Sequence, residues 1–156
     1  MIVAMEPEHL VYVSQNLRDG ELKESLSLKW GDSLEHFVVD RMEVDGAKFT
    51  ISLAGEPVMV FGATFCSPRV ATIWMISTDK IGSVIKEAIR FWRKELLPKI
   101  WEARVHRVEI EVMESNTKAI KFAKRMGFEY EGTKQCAGKD QENICFFGLV
   151  RRDNLH

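Results

Sequence analysis

The stretch of sequence that decides the fold runs from Val105 to Gly132 and reads VHRVEIEVMESNTKAIKFAKRMGFEYEG. Apolar and charged side chains alternate along its first part, from Val108 onward, which is typical of a strand with one buried face. The residues that follow have helical spacing, and Gly127 can adopt the left-handed conformation that ends a helix. We therefore predict a strand from Val105 to Met113, a helix from Asn116 to Met126, and a chain that then enters another strand.

The part of the chain before this unit begins with one short strand followed by helices. The strand covers Ile2 to Met5, and the run Glu6-Pro7-Glu8 favours the start of a helix that ends at Asn16 or Leu17. One or two further helical segments fill the interval to Asp45, separated by a break at Trp30-Gly31-Asp32. The later segment is capped by Asp32 or Ser33, and its apolar face consists of Leu34, Phe37, Val38 and Met42.

The middle of the chain changes from strand periodicity to that of a long helix. Strands are predicted at Phe49 to Leu53, Val58 to Phe65 and Val70 to Ile76, and a last strand at Asn143 to Arg151. A helix from about Thr78 to Leu96 lies between, and Pro98 ends or kinks it. This order predicts a single domain over residues 1–156, of the α/β (α+β) class, with a mixed sheet and helices on both faces.

Composition and charge exclude several classes of protein. The 156 residues carry a net charge of −1 with 46% hydrophobic residues, so we expect neither nucleic acid nor a membrane surface as a partner. Charges interrupt every apolar run and the first residues lack the pattern of a signal peptide, so we expect a cytoplasmic location. The three cysteines predict reduced thiols, and no cysteine or histidine spacing indicates a zinc site.

The register of the opening stretch resembles the second half of the cofactor-binding region of the GNAT (Gcn5-related N-acetyltransferase) superfamily. The residues at the family's spacings are Ile110, Val112, Asn116, Ala119, Gly127, Phe128 and Gly132. The resemblance implies a three-layer sandwich with a mostly antiparallel central sheet. It also implies acetyl-CoA as co-substrate, no metal, and transfer of an acetyl group to an amine by direct attack in a ternary complex. Asn116 and Phe122 would then contact the cofactor, whereas the alternative for Asn116 is that it only caps the helix.

The phosphate-binding loop of the family, Q/R-x-x-G-x-G/A, corresponds here to Ser77-Thr78-Asp79-Lys80-Ile81-Gly82-Ser83. Only Gly82 matches, and Lys80 replaces the first glycine. Two interpretations stay open. In the first, Lys80, Ser83 and the backbone around Ile81 and Gly82 bind phosphate at a helix start. In the second, the segment is simply the capped start of a helix.

The resemblance also implies which residues would catalyse the reaction. A backbone N–H around Met75, Ile76 and Ser77 would polarise the thioester carbonyl. Ala123 stands where the family has a tyrosine that protonates the leaving thiolate, so Ser77, acting through water, is one candidate for the acid. For the general base, Glu109 and Glu111 share one face of their strand and Asp79 lies at the start of the long helix; Glu111 is the candidate we select. The alternative for Glu111 is an ordinary solvated or paired strand residue.

Two further segments give a narrower resemblance. Trp74-Met75-Ile76-Ser77 and the run from Asn116 to Phe122 resemble small GNAT-like proteins of tailed bacteriophages, some of which are internal virion proteins. Two functions are therefore expected from the sequence. One is an N-acetyltransferase that acts on a small-molecule or protein amine of unknown identity. The other is a catalytically degenerate phage protein, in the virion or the host cytoplasm, with a virion or host protein as partner. The oligomeric state, a homodimer included, is left open.

Overall fold

The computed structural model of the protein describes residues 1–18 and 33–152. The predicted break at Trp30-Gly31-Asp32, the alternative cap Asp32 and the side chain of Leu34 lie outside the described residues. Ser33 caps the helix that follows it, because its hydroxyl accepts a hydrogen bond from the backbone N–H of His36 at 3.2 Å.

The described residues form one mixed sheet of seven strands. The strands are β1 (Ile2–Ala4), β2 (Lys48–Leu53), β3 (Glu56–Ser67), β4 (Val70–Ser77), β5 (Arg107–Met113), β6 (Glu129–Lys134) and β7 (Ile144–Val150). Their order in the sheet is β1-β2-β3-β4-β5-β7-β6. All neighbouring pairs are antiparallel except β4 and β5, which are parallel. A helical crossover joins these two strands, as a parallel pair requires.

The helices lie on both faces of the sheet. Helices α1 (Pro7–Gln15) and α2 (Leu34–Glu43) pack on one face, where Leu10, Val13 and Phe37 meet Val60 and Ile76 in a small core. The other face carries the crossover and helix α5 (Thr117–Arg125). The larger core lies there and includes Phe147, Val108 and Trp92. The three layers and the mostly antiparallel mixed sheet confirm the predicted fold class.

The crossover from β4 to β5 differs from the single helix that the sequence predicts. It consists of a 3₁₀ turn (Asp79–Ser83), α3 (Ile85–Phe91), a π-helical turn (Trp92–Leu96) and α4 (Leu97–Glu102). In the π turn the N–H of Leu97 bonds to the carbonyl of Trp92, five residues back. Pro98 has no N–H to donate to the carbonyl four residues before it, and a widened turn accommodates this loss without ending the helix.

The sequence predicts a strand after the helix that ends at Met126, but it does not give the bounds of β6. Its sequence, EYEGTK, is charged and mostly exposed, because β6 lies at the edge of the sheet and pairs only with β7 among the described strands. An exposed edge strand has little apolar periodicity, so its sequence gives a weak signal.

Candidate functional site

The parallel strands β4 and β5 separate soon after they begin to pair. Their register covers only Val70 with Arg107, Ala71 with Val108 and Thr72 with Glu109. Beyond these pairs β4 continues to Ser77 and β5 to Met113. The separation leaves a cavity of about 750 Å³ between the two strands. We call this space the cleft.

The backbone edges of both strands are open toward the cleft. On β4 the N–H of Thr78 bonds to the carbonyl of Val58 in β3, so every second residue back from it pairs with β3. The backbone groups of Met75 and Ser77 therefore point away from β3. Those of Met75 face the cleft, whereas the carbonyl of Ser77 accepts from the backbone N–H of Arg18 at 2.9 Å. On β5 the N–H of Glu114 bonds to the carbonyl of Asn143, so by the same alternation the backbone groups of Glu111 point away from β7 and into the cleft.

The cleft passes through the sheet and reaches both of its faces. On the face covered by α1 and α2, it is lined by Phe37, Arg41, Trp74 and Ile76. On the opposite face, residues of the larger core line it, namely Ile73, Met75, Ile85, Ile110, Val112, Ala119 and Phe122. Two molecules that enter from opposite faces can therefore meet between the strands.

An aromatic and cationic wall lies on the α1 and α2 side. The guanidinium of Arg41 lies 5.2 Å from the ring centre of Trp74 and 6.0 Å from that of Phe37, and it also pairs with Asp40 at 2.6 Å. Gly62 lies opposite the indole, and a Cβ atom there would be 2.8 Å from its Nε1. The absence of a side chain at Gly62 thus lets Trp74 lie against β3.

Glu111 lines the cleft with an exposed side chain, and it makes no hydrogen bond or ion pair with any described residue. Val108, Ile110 and Val112 face the larger core, so Glu111 projects on the α1 and α2 side. Glu109 shares that side but accepts a hydrogen bond from Arg107 at 2.7 Å. The two glutamates that the sequence places on one face are therefore different: Glu109 is paired, and Glu111 faces the cleft.

Arg107 joins Glu109 to strand β6. Its guanidinium also donates to the carboxylate of Glu131. The hydrogen bonds that Arg107 donates to Glu131 and Glu109 raise the pKa of Arg107, and the bond from Arg107 lowers the pKa of Glu131. Glu109 is therefore a structural residue, because its carboxylate is held by Arg107 in a cluster that joins β5 to β6.

The predicted phosphate loop forms the 3₁₀ turn. The hydroxyl of Thr78 caps the turn by accepting from the N–H of Lys80 at 3.3 Å, and Ile81 and Gly82 line the cleft. The side chain of Lys80 instead binds Glu56 at 2.6 Å, and the hydroxyl of Tyr12 donates to the same carboxylate at 2.5 Å. Neither Lys80 nor Ser83 lines the cleft.

The pKa values in this cluster follow from its hydrogen bonds. The hydrogen bond to Glu56 raises the pKa of Tyr12 and that of Lys80, whereas the bonds from Lys80 and Tyr12 lower the pKa of Glu56. The carboxylate of Glu56 is therefore bonded to both the ammonium of Lys80 and the hydroxyl of Tyr12, and Lys80 stays beside Glu56.

Asn116 is buried at the start of α5 and does not line the cleft. Its Oδ1 accepts from the N–H of Ala119 at 3.3 Å, which caps the helix, and from the guanidinium of Arg18 at 3.2 Å. The backbone N–H of Arg18 bonds to the carbonyl of Ser77 at 2.9 Å. Arg18, which lines the cleft, therefore links the end of β4 to the start of α5. The sequence gives no signal for this link, because its partners are 98 positions apart.

Two positions considered for the acid lie in the core: Ser77, which was a candidate, and Ala123, which stands where the family has its tyrosine. The side chain of Ser77 is 1% exposed, does not line the cleft, and its Oγ has no hydrogen-bond partner among the described residues. Ala123 is completely buried, whereas the neighbouring Phe122 lines the cleft. Ile76, also predicted, lines the cleft.

Three cationic side chains of α5 line the cleft: Lys118, Lys121 and Arg125. The sequence analysis did not include them in the site. Their spacing, i, i+3 and i+7, places them on one helix face and is visible in the sequence. Among residues 1–18 and 33–152, no three histidine, cysteine, aspartate or glutamate residues cluster as a metal site. No helix in that part of the chain is long and apolar enough to span a membrane.

A mixed sheet with two parallel strands that separate to form a cleft, and with helices on both faces, is the fold of the GNAT acetyltransferases. No family model and no curated protein matches the sequence. Several solved structures, however, are similar to this one in fold. A ribosomal-protein-alanine N-acetyltransferase from Brucella melitensis has a TM-score of 0.70 and 15% identity, over 97% of this chain and 99% of that one. A protein from Salmonella typhimurium, solved with its cofactor acetyl-CoA, has a TM-score of 0.73 and 10% identity, over 100% and 96%. A variant of the spermidine N-acetyltransferase from Vibrio cholerae has a TM-score of 0.66 and 12% identity, over 100% and 98%.

Proposed function

We propose that the protein is an N-acetyltransferase that transfers the acetyl group of acetyl-CoA to an amine, by direct attack in a ternary complex. The observation that carries this proposal is the cleft, which opens on both faces of the sheet between β4 and β5. One face admits the acetyl donor and the other admits the acceptor. The Salmonella typhimurium structure with acetyl-CoA supports the choice of donor.

The residues of the cleft fit the arm of acetyl-CoA. That arm is a narrow chain with two amides. The open backbone edges at Met75 and Glu111 offer N–H and carbonyl partners for amides, and Ser77 offers its N–H, since its carbonyl is bonded to Arg18. An N–H of β4 near Met75 would polarise the thioester carbonyl. The proposal keeps Ile76, Ile81, Gly82 and Phe122 as cofactor contacts, because these four residues line the cleft.

Glu111 is the proposed general base. It faces the acceptor side with no described partner, so its carboxylate is available to take a proton from the attacking ammonium or amine. The amine nitrogen forms the new bond to the acetyl carbon, the carbon–sulfur bond breaks, and the thiolate leaves with the electron pair and takes up a proton. Ser77 receives no role in this proposal because its side chain does not line the cleft.

The proton for the thiolate has no protein donor at the position of Ala123, and Phe122 offers a place to add one. Phe122→Tyr adds a hydroxyl to a ring that already lines the cleft, with almost no change in volume. We expect turnover, measured as release of free thiol, to rise about 100-fold, the lower end of the about 10²–10⁴-fold that a positioned general acid contributes.

The comparison variant is Ala123→Tyr, which puts a large side chain at a completely buried position. It is expected to lower the melting temperature through overpacking and to gain little activity. A Phe122→Tyr enzyme with unchanged turnover would mean that solvent or another group already protonates the thiolate.

Stabilisation by acetyl-CoA tests the proposal directly. A ligand at about 100 times its dissociation constant adds about 2.7 kcal/mol to the free energy of unfolding, so the melting temperature should rise by about 5 °C or more. ADP at the same concentration is the control for general anion binding. Absence of any rise at millimolar acetyl-CoA would contradict the proposed function.

The acceptor is a small-molecule or protein amine. The spermidine and ribosomal-protein-alanine acetyltransferases among the similar structures represent both kinds. A location in the cytoplasm remains a prediction from the sequence, and the oligomeric state, a homodimer included, remains open.

The second candidate function is that of a GNAT-fold phage protein without turnover that acts in assembly or host interaction. Two observations favour its loss of turnover, and neither bears on a phage origin or on a role in assembly. Ala123 stands where the family has its acid, and Lys80 is engaged by Glu56. Binding of acetyl-CoA without thiol release, across a panel of amines, would favour this candidate.

A further inference from the structure

We infer that the phosphate groups of the acyl-CoA are held by Lys118, Lys121 and Arg125 of α5, not by the turn between β4 and α3. This inference rests on the proposed function and names the binding residues for one part of its cofactor. The first observation is the positive charge of helix α5.

Helix α5 has the sequence TKAIKFAKR and carries four cations without a single acid, in a chain whose net charge is −1. Lys118, Lys121 and Arg125 line the cleft, and Lys124 does not. None of the three forms an ion pair with a described residue. The cleft therefore has one wall with three positive charges that the described protein leaves uncompensated.

Two features of these cations are unfavourable for the helix itself, although Arg125, in the last turn, is well placed for the helix dipole. Lys118 lies in the first turn, where the positive end of the helix dipole opposes a cation. Lys118 with Lys121, and Lys121 with Arg125, are like charges at spacings where side chains are neighbours, and each such pair costs about 0.2–0.5 kcal/mol. A bound anion would offset both effects.

The opposite wall offers no competing cation. It is formed by Asp79, Ile81, Gly82 and Ile85, and its one charged residue, Asp79, is an acid that pairs with no described residue. Lys80, the cation of that turn, binds Glu56 outside the cleft. The bare backbone at Gly82 can still approach a ligand closely, since nothing lies within 4 Å of where its Cβ would be.

The spacing of the three cations fits a ligand with several phosphates. A helix rises about 1.5 Å per residue, so the row from Lys118 to Arg125 is about 10 Å long. CoA carries a pyrophosphate and a separate 3′-phosphate, and each needs charge-assisted donors of the kind that lysine and arginine provide. The cations lie on the face of the larger core, opposite Glu111, which leaves the acceptor side to the amine.

The test compares donors that differ only in phosphate. Dissociation constants of acetyl-CoA, its 3′-dephospho form and acetyl-pantetheine, which has no phosphate, are measured by calorimetry. The proteins are the wild type, the triple variant Lys118→Gln, Lys121→Gln, Arg125→Gln, and two single controls. Lys124→Gln removes a charge from the same helix outside the cleft, and Lys80→Gln removes the cation of the turn. Glutamine preserves helix propensity, so the triple variant should melt at or above the wild-type temperature.

The triple variant is expected to bind acetyl-CoA about 100-fold more weakly than the wild type, since three charge-assisted contacts are lost, each worth several-fold at an exposed site. Its affinity for acetyl-pantetheine should be unchanged within two-fold, and the wild-type preference for acetyl-CoA over the dephospho form should disappear. Both controls should bind like the wild type. Salt should weaken wild-type binding much more than that of the triple variant.

Three results would overturn the inference and leave the proposed function standing. They are wild-type affinity in the triple variant, a loss in Lys80→Gln as large as that in the triple variant, or an equal loss for acetyl-pantetheine, which would indicate damage to the cleft. A wild-type protein that binds none of the donors would instead contradict the proposed function itself.

Discussion

Replacing Glu111 with glutamine is expected to lower kcat/KM for the amine about 100- to 1,000-fold, because the variant keeps the shape of the side chain and loses its ability to take a proton. The expectation follows from the position of Glu111, exposed on the acceptor side of the cleft with no described partner. The affinity for acetyl-CoA should change little, since the carboxylate faces the other substrate. Steady-state kinetics with a free-thiol readout, together with calorimetry for acetyl-CoA, separate the two quantities.

The pH profile distinguishes a base from a residue that only shapes the cleft. As pH rises toward the pKa of the acceptor amine, more of the amine is already deprotonated, so the defect of Glu111→Gln should shrink. A structural defect would stay constant across pH. Glu109→Gln is the matched control, because Glu109 lies two residues away on the same face and is paired with Arg107. Equal kinetics in the two variants would remove Glu111 from the proposed mechanism.

Gly46→Ala is expected to cost about 3–4 kcal/mol of folding free energy, the sum of backbone strain and overpacking. Gly46 has φ +124°, a conformation that residues with a side chain rarely adopt, and a Cβ there would lie 1.9 Å from the backbone carbonyl oxygen of Ala63. That carbonyl belongs to β3, which is paired on both sides with β2 and β4, and the N–H of Ala63 itself bonds to the carbonyl of Ala47 at 3.2 Å. The backbone there cannot shift without disturbing this pairing. Urea unfolding followed by circular dichroism measures the change.

Gly55→Ala provides the matched comparison for the steric part of this cost. Gly55 also has a positive φ, +81°, but nothing lies within 4 Å of its Cβ position. Gly55→Ala should lose only about 1 kcal/mol of folding free energy, which is the cost of the left-handed conformation for a residue with a side chain. If both variants lose the same free energy, the contact with Ala63 is relieved by local adjustment and the expectation for Gly46 is wrong.

The fold could be predicted because its information is local. Asn116, Gly127 and the alternation along β5 each specify a nearby conformation, and together they define the strand and helix that the structure contains. Pro98 was visible as a disruption, but whether the helix would end there or widen depends on packing. The bounds of strand β6 could not be predicted, since it lies at the edge of the sheet and its exposed sequence has little apolar periodicity.

The candidate site could be predicted less completely, because side-chain partners are distant in sequence. The loop sequence suggested Lys80 as a phosphate ligand, and nothing in that loop indicates Glu56 or Tyr12, which hold it. Glu109 and Glu111 are equivalent in a strand pattern and differ only through Arg107 and the width of the cleft. The cations of α5 were readable at helical spacing, yet their significance required the cavity that they line.

The π-helical turn has a consequence for how the cleft meets a ligand. It carries Trp92, whose indole N–H donates to the carbonyl of Met126 at 2.9 Å and whose ring stacks on Phe128 at 5.6 Å. Arg93 of the same turn donates to the carbonyl of Arg125. These contacts attach the crossover to the C-terminal end of α5. They therefore help to set the distance between the two walls of the cleft, the turn after β4 and helix α5. The cleft is thus preorganised for a ligand, so little of the binding free energy is needed to separate its walls.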